Sequence, residues 1–189
     1  MKIYKIEWGT PNKFQSYMPE ADHFDPRVLY NGQPLPDDWQ VPQMQTIDKR
    51  KKYIQVDFPA YFGTPAVILV NEKAWPLVRA PLEASGQCFE CSIDNQLFRF
   101  CNPWRVVDCI DIDKCVCDSD FQFIIKKYHF NMDKLDYETP LFQTPSQIRV
   151  FALETKELRR QGLDFKNLVR KNKLTGLIFR KVWESDEIP

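Results

Sequence analysis

Ile148-Arg149-Val150-Phe151-Ala152 and Leu174-Thr175-Gly176-Leu177-Ile178-Phe179-Arg180-Lys181-Val182-Trp183 are two strand-like runs that bracket a charged helical stretch. Their β-branched and aromatic residues suit a pleated, half-buried surface. Between them, Thr155 is an N-cap residue whose hydroxyl accepts from a first-turn amide. Gly162 ends or bends the first helical piece. Asp164 caps a second piece, in which Phe165, Leu168 and Val169 form an i, i+3, i+4 stripe. Gly176 then releases the chain into the closing strand.

Working back towards the N-terminus, residues 104–110 and 120–130 are β-prone, and residues 131–146 are rich in turn formers. Residues 88–93 and 96–100 flank Asp94-Asn95, a hairpin signal weakened by the lack of a glycine to supply positive φ. The apolar run 65–70 reads as a strand and leads to Asn71, a good N-cap. A helix follows over residues 72–85, with Pro76 tolerated in its first turn and Pro81 placed to kink or split it. Residues 2–8 read as an opening strand. Residues 9–45 hold the turn signals Asn31-Gly32 and Pro34-Leu35-Pro36-Asp37-Asp38, yet also Phe14, Tyr17, Phe24, Tyr30 and Trp39, too many aromatics for a disordered tail. The expected fold is α+β: a mainly antiparallel sheet, two helical segments at about 72–85 and 155–172, and an irregular Pro-rich N-terminal lobe. All 189 residues form one domain, with 1–60 as the lobe and 61–189 as the core.

Lys and Arg number 26, as do Asp and Glu, so the formal net charge is zero. Counterion release from phosphates needs a basic excess, so a nucleic-acid partner is not expected. The longest apolar run is far too short to span a bilayer, and Lys5 and Glu7 interrupt any signal-peptide core. The expectation is a cytoplasmic protein with no membrane partner.

Six cysteines lie between positions 88 and 117. In a cytoplasmic chain they read as reduced, buried thiols. Cys88-x-x-Cys91 with Cys115-x-Cys117 has zinc-like spacing, but on a strand Cys88 and Cys91 point to opposite faces. No metal or cofactor is therefore expected. Asp108, Asp111 and Asp113, followed by Asp118 and Asp120, form an acidic cluster. It admits two readings: a solvated edge, or a negative surface aimed at a basic partner. Tyr61-Phe62 beside Gly63 admits core placement or an exposed interface anchor at a loop tip. His129 lies in a strand-like run, and His23 stands beside Asp22 and Asp25. No serine elbow, zinc-protease motif or phosphate loop is present, and no catalytic residue is assigned.

Several of these pieces occur in a familiar order. Gly32-Gln33-Pro34-Leu35-Pro36-Asp37-Asp38-Trp39, Asp57-Phe58-Pro59, the strand-to-helix run 65–84, Val106-Val107-Asp108-Cys109-Ile110-Asp111 and the ending Leu174-Thr175-Gly176 through Val182-Trp183 together resemble immunity protein family 11 of bacterial polymorphic toxin systems. Cys115 and Cys117 depart from the serine or acidic residue usual there. The resemblance implies a non-enzymatic role: binding and neutralising a cognate toxin by occluding its active surface. Candidate partner-binding residues are Asp108, Asp111, Asp113, Tyr61 and Phe62. The alternative is a small hydrolase or modifying enzyme using His23 or the Asp108/Asp111/Asp113 cluster.

Overall fold

The computed structural model describes residues 1–9, 13–20, 25–47, 52–119 and 124–185. In chain order its elements are β1 (Lys2–Trp8), β2 (Ser16–Pro19), β3 (Met44–Thr46), β4 (Ala60–Tyr61), β5 (Ile68–Asn71), α1 (Trp75–Ser85), β6 (Gln87–Ile93), β7 (Gln96–Asn102), β8 (Val116–Cys117), β9 (Ile125–Lys127), β10 (Leu141–Thr144), β11 (Gln147–Glu154), α2 (Lys156–Arg160), α3 (Phe165–Lys171) and β12 (Leu177–Glu184). The class is α+β and sheet-dominated, as the sequence led us to expect. No helix among the described residues is long and apolar enough to cross a membrane.

The main sheet is antiparallel, in the order β10-β11-β1-β12. The strand–helix–strand ending thus supplies both neighbours of β1. The opening strand belongs to this sheet and not to the lobe, because both of its faces are needed. Tyr4 and Ile6 enter one core, and Ile3 enters another. A second sheet, β5-β7-β6, packs Ile68, Val70 and Cys101 into the first core with Val78 and Leu82 of α1 and Phe165 of α3. Its other face presents Leu69, Phe98 and Phe100 to a third core, which buries Tyr17, Leu29 and Leu35 of the N-terminal lobe. The lobe is irregular but anchored; its described residues hold the short sheet β3-β2-β4 and one 3-10 turn at Pro26–Leu29.

Local chemistry accounts for the turns. Asp94 and Asn95 both take positive φ (49° and 63°), so the hairpin closes through two residues that tolerate the left-handed region. Thr155 accepts from the Leu158 amide and Asp164 from the Asn167 amide, so Gly162 (φ 74°) divides the second helical segment as read. Asn71 Oδ1 accepts from the Ala74 amide at 2.8 Å, one turn before α1 begins.

Three expectations need correction. Pro81 does not split α1, because the helix buries Val78, Pro81 and Leu82, and this packing outweighs the lost amide bond. Residues 104–110 form no strand, only single bridges of Val106 to Gln143 and Ile110 to Phe130. Within the turn-rich stretch lies β10, whose four residues are all buried. Leu141 enters the first core and Phe142 the second, so no apolar–polar alternation marks it.

Two buried polar groups join distant segments. Asp57 Oδ2 accepts from the Thr175 amide at 2.8 Å and from its hydroxyl at 3.0 Å, while the Phe58 amide donates to the Thr175 carbonyl at 3.0 Å. Gly176 (φ 109°) lies so close to the Phe58 carbonyl that a Cβ would sit 2.3 Å from its oxygen. Gln143 Nε2 donates to the carbonyls of Pro103 (2.7 Å) and Leu29 (3.3 Å), fastening the lobe to the main sheet.

Candidate functional site

The acidic cluster lies on the segment that covers one face of the main sheet. Asp108 is 71% exposed and pairs with Lys134 at 3.2 Å. Asp111 pairs with Lys114 at 2.8 Å, and this hydrogen-bonded ammonium holds its carboxyl below the usual range. Asp118 pairs with Lys126 at 2.8 Å, and Asp113 is exposed beside Lys114. The aspartates are thus interleaved with lysines and do not form a bare negative field. Asp120 and His23 lie outside the described residues. His129 is exposed, and its backbone amide donates to Cys115 Sγ.

Tyr61 is not an exposed anchor. It is 4% exposed, its ring packed edge-on against Phe100 in the third core, because β4 pairs in parallel with β2 and draws it inward. Burial pushes its phenol well above the ordinary range. Phe62 points the other way and is 53% exposed.

The hairpin cysteines follow the period of two: Cys88 packs on the first core and Cys91 on the third. Burial pushes the Cys91 thiol up to about 12. Cys88 lies opposite Cys101 across the β6–β7 ladder. Among the described residues, no three His, Cys, Asp or Glu side chains are grouped to hold a metal ion.

Open grooves flank the place where the main sheet splays. Pairing of β1 with β11 stops at Lys5–Phe151, whereas pairing with β12 continues to Trp8–Leu177. The chain from Ala60 to Pro65 borders the gap and leaves a groove of about 510 Å³ between Glu7 and Trp8, on one side, and Phe62, Thr64 and Pro65, on the other. A second groove, of about 440 Å³, runs from Lys5 and Tyr128 to Ile124 and Ile148. Arg149 lines both.

Charge in this region is uneven. Glu7 is bound by Lys5 at 2.8 Å and by Arg180 at 3.0 Å. Although burial works to raise its carboxyl, these two cations hold it below the usual range. Tyr128 donates to Gln147 Oε1 at 2.9 Å, which fixes one wall. Among the described residues the Arg149 side chain has neither an ion pair nor a hydrogen bond. Trp8 Nε1 and Tyr61 Oη, from two residues that line the first groove, are buried with no hydrogen-bond partner among the described residues.

Of the residues expected at an interface, only Phe62 is an exposed wall of this region. In the sequence Arg149 is simply one position of a strand-like run. Its signal was nevertheless present: it is the one charged residue in the run 148–152, and a period of two places it on the same face as Phe151. Comparison with known proteins finds no match: no family model, no curated protein and no solved structure corresponds to this chain.

Proposed function

We propose that this chain is a cytoplasmic immunity protein that binds a cognate bacterial toxin and blocks its active surface. The observation that carries the reading is the exposed Phe62 ring on the wall of an open groove shared with the unpaired Arg149. Aromatic residues and arginine are the side chains that most often dominate binding energy at protein interfaces. Occlusion of this kind requires a rigid surface and no chemistry. An interface of ordinary size, roughly 1,600 Å² in total, is enough for tight inhibition when its central residues are well seated.

The motif order described above also supports this reading. Two of its elements, Asp57-Phe58-Pro59 and Leu174-Thr175-Gly176, are bonded to each other across 118 positions. They act as closures of the fold and leave the exposed grooves free to vary with the partner. Nothing in the geometry favours the enzymatic alternative at Asp108, Asp111 and Asp113, where two of the three carboxylates are occupied by lysines.

The test is co-expression with the toxin encoded by the adjoining gene. Restored growth and co-purification are expected. A toxin that still kills, and that does not co-purify, removes the proposal.

A further inference from the structure

We propose that the two grooves are one trough that receives an extended acidic segment of the partner protein, its carboxylate on Arg149 and its flanking apolar side chains on Phe62 and Pro65 at one end and Ile124 and Ile148 at the other. The inference rests on the reading of the chain as a toxin-neutralising binder.

Continuity comes first. Arg149 lines both grooves, so an occupant of one meets the same guanidinium as an occupant of the other. Apolar side chains mark both ends: Ile124 and Ile148 are 45% and 40% exposed, and Phe62 is more exposed still. A cation between two apolar ends selects an occupant with the reverse pattern, apolar–acidic–apolar.

Charge sets the sign. Among the described residues that line the trough, Lys5 and Arg149 are the cations and Glu7 is the one carboxylate, which Lys5 and Arg180 already hold. Arg149 is the cation left over. Its planar fork matches a carboxylate in two parallel hydrogen bonds, a geometry that a lysine ammonium lacks.

Period sets the spacing. In an extended peptide, residues i, i+2 and i+4 share one face, with about 6.7 Å between successive members. Five residues therefore offer an apolar, an acidic and an apolar side chain to the trough in one line. The same pattern on a helix would turn the acidic group away from its neighbours.

The probe is a fluorescein-labelled heptapeptide, Ser-Leu-Ser-Glu-Ser-Leu-Ser, with a counterpart carrying Lys in place of Glu, read by fluorescence anisotropy at low salt. Saturable binding of the acidic peptide is expected, with a Kd on the order of 100 µM for so small a ligand. The basic counterpart should bind at least about tenfold more weakly. Arg149→Glu and Arg149→Gln should each weaken the acidic peptide at least about tenfold, and Arg149→Lys less, because the fork is lost but the charge is kept. Asp113→Lys should leave binding unchanged. Equal binding of the two peptides, no binding of either, or indifference to both Arg149→Glu and Arg149→Gln overturns the inference. A concentration-dependent dimer of the wild type that Arg149→Glu dissolves also overturns it, in favour of a second copy as occupant. The growth-rescue assay separates the two proposals. Rescue that survives both Arg149→Glu and Arg149→Gln removes the trough and leaves the immunity role. Peptide binding without rescue does the opposite.

Discussion

One face of the main sheet is built in two ways along its length. At the Ile3 end, Ile3, Phe151 and Leu153 pack beneath residues 107–117 and 125–137 and are fully buried. At the Glu7 end the sheet splays, and Arg149, two positions before Phe151, borders open grooves. A single strand face thus passes from core to surface within two residues. The cover carries the aspartates that stand out in the sequence, and most are paired with lysines. The open half carries Arg149, whose side chain has no ion pair or hydrogen bond among the described residues. Electrostatic potential at a surface follows from which charges are left unpaired, so a count of charges along the chain points to the wrong region.

The two halves should differ most in what they add to stability. Phe151→Ala should lower unfolding free energy by about 3–5 kcal/mol in a urea titration, as expected for a large aromatic taken from a closed core. Arg149→Ala should change it by less than about 0.5 kcal/mol, because no folded-state bond is lost. Similar losses for the two variants would show that the open half is as structural as the covered half.

Phe62→Ala tests the open half by binding. Toxin affinity should fall about 30-fold, close to 2 kcal/mol, with an unchanged urea midpoint. A lower midpoint would mark Phe62 as core.

The closed end of β11 offers a pH test. Burial works to raise the Glu154 carboxyl, but Lys166 and Arg159 outweigh it, and its pKa is lowered in the folded protein. A carboxylate with a depressed folded pKa adds stability above its unfolded value. That stability is lost as the pH falls through the folded value. Stability should therefore decline below about pH 4.5, the ordinary value for this side chain. Glu154→Gln should flatten that part of the profile. An unchanged slope would remove Glu154 as a contributor.

The smallest effect is expected on the cover's surface. Asp108→Asn and Asp111→Asn should shift the melting temperature by no more than about 2 °C, since exposed ion pairs hold little free energy. A larger shift would mean that the lysine pairs hold the cover in place.

The parts of the fold legible in the sequence were those with a period or a cap. The last two strands, the division at Gly162, the Asp94-Asn95 hairpin and the two faces of the cysteine strand all rest on local rules. Buried strands without alternation were not legible. In β10, Leu141 and Phe142 serve different cores, so the pattern that betrays a strand is absent. The trough was not legible either, because it arises where two ladders of different length share β1. Register, and not residue type, creates that gap. Tyr61 and Phe62 show the same limit: adjacent aromatics divide between core and surface because one sits in a two-residue strand.

The position of β1 between β11 and β12 has a consequence for the order of assembly. The paired residues of β1 and β11 lie at least 146 positions apart (Lys5 to Phe151), those of β1 and β12 lie further apart still, and the Asp57–Thr175 bond spans 118. Pairings of such large sequence separation slow folding, and they leave the apolar face of β1 unsheltered until they form. Pulse-labelled hydrogen exchange during refolding should find the β1 amides protected after those of the β6–β7 hairpin; the reverse order would contradict this.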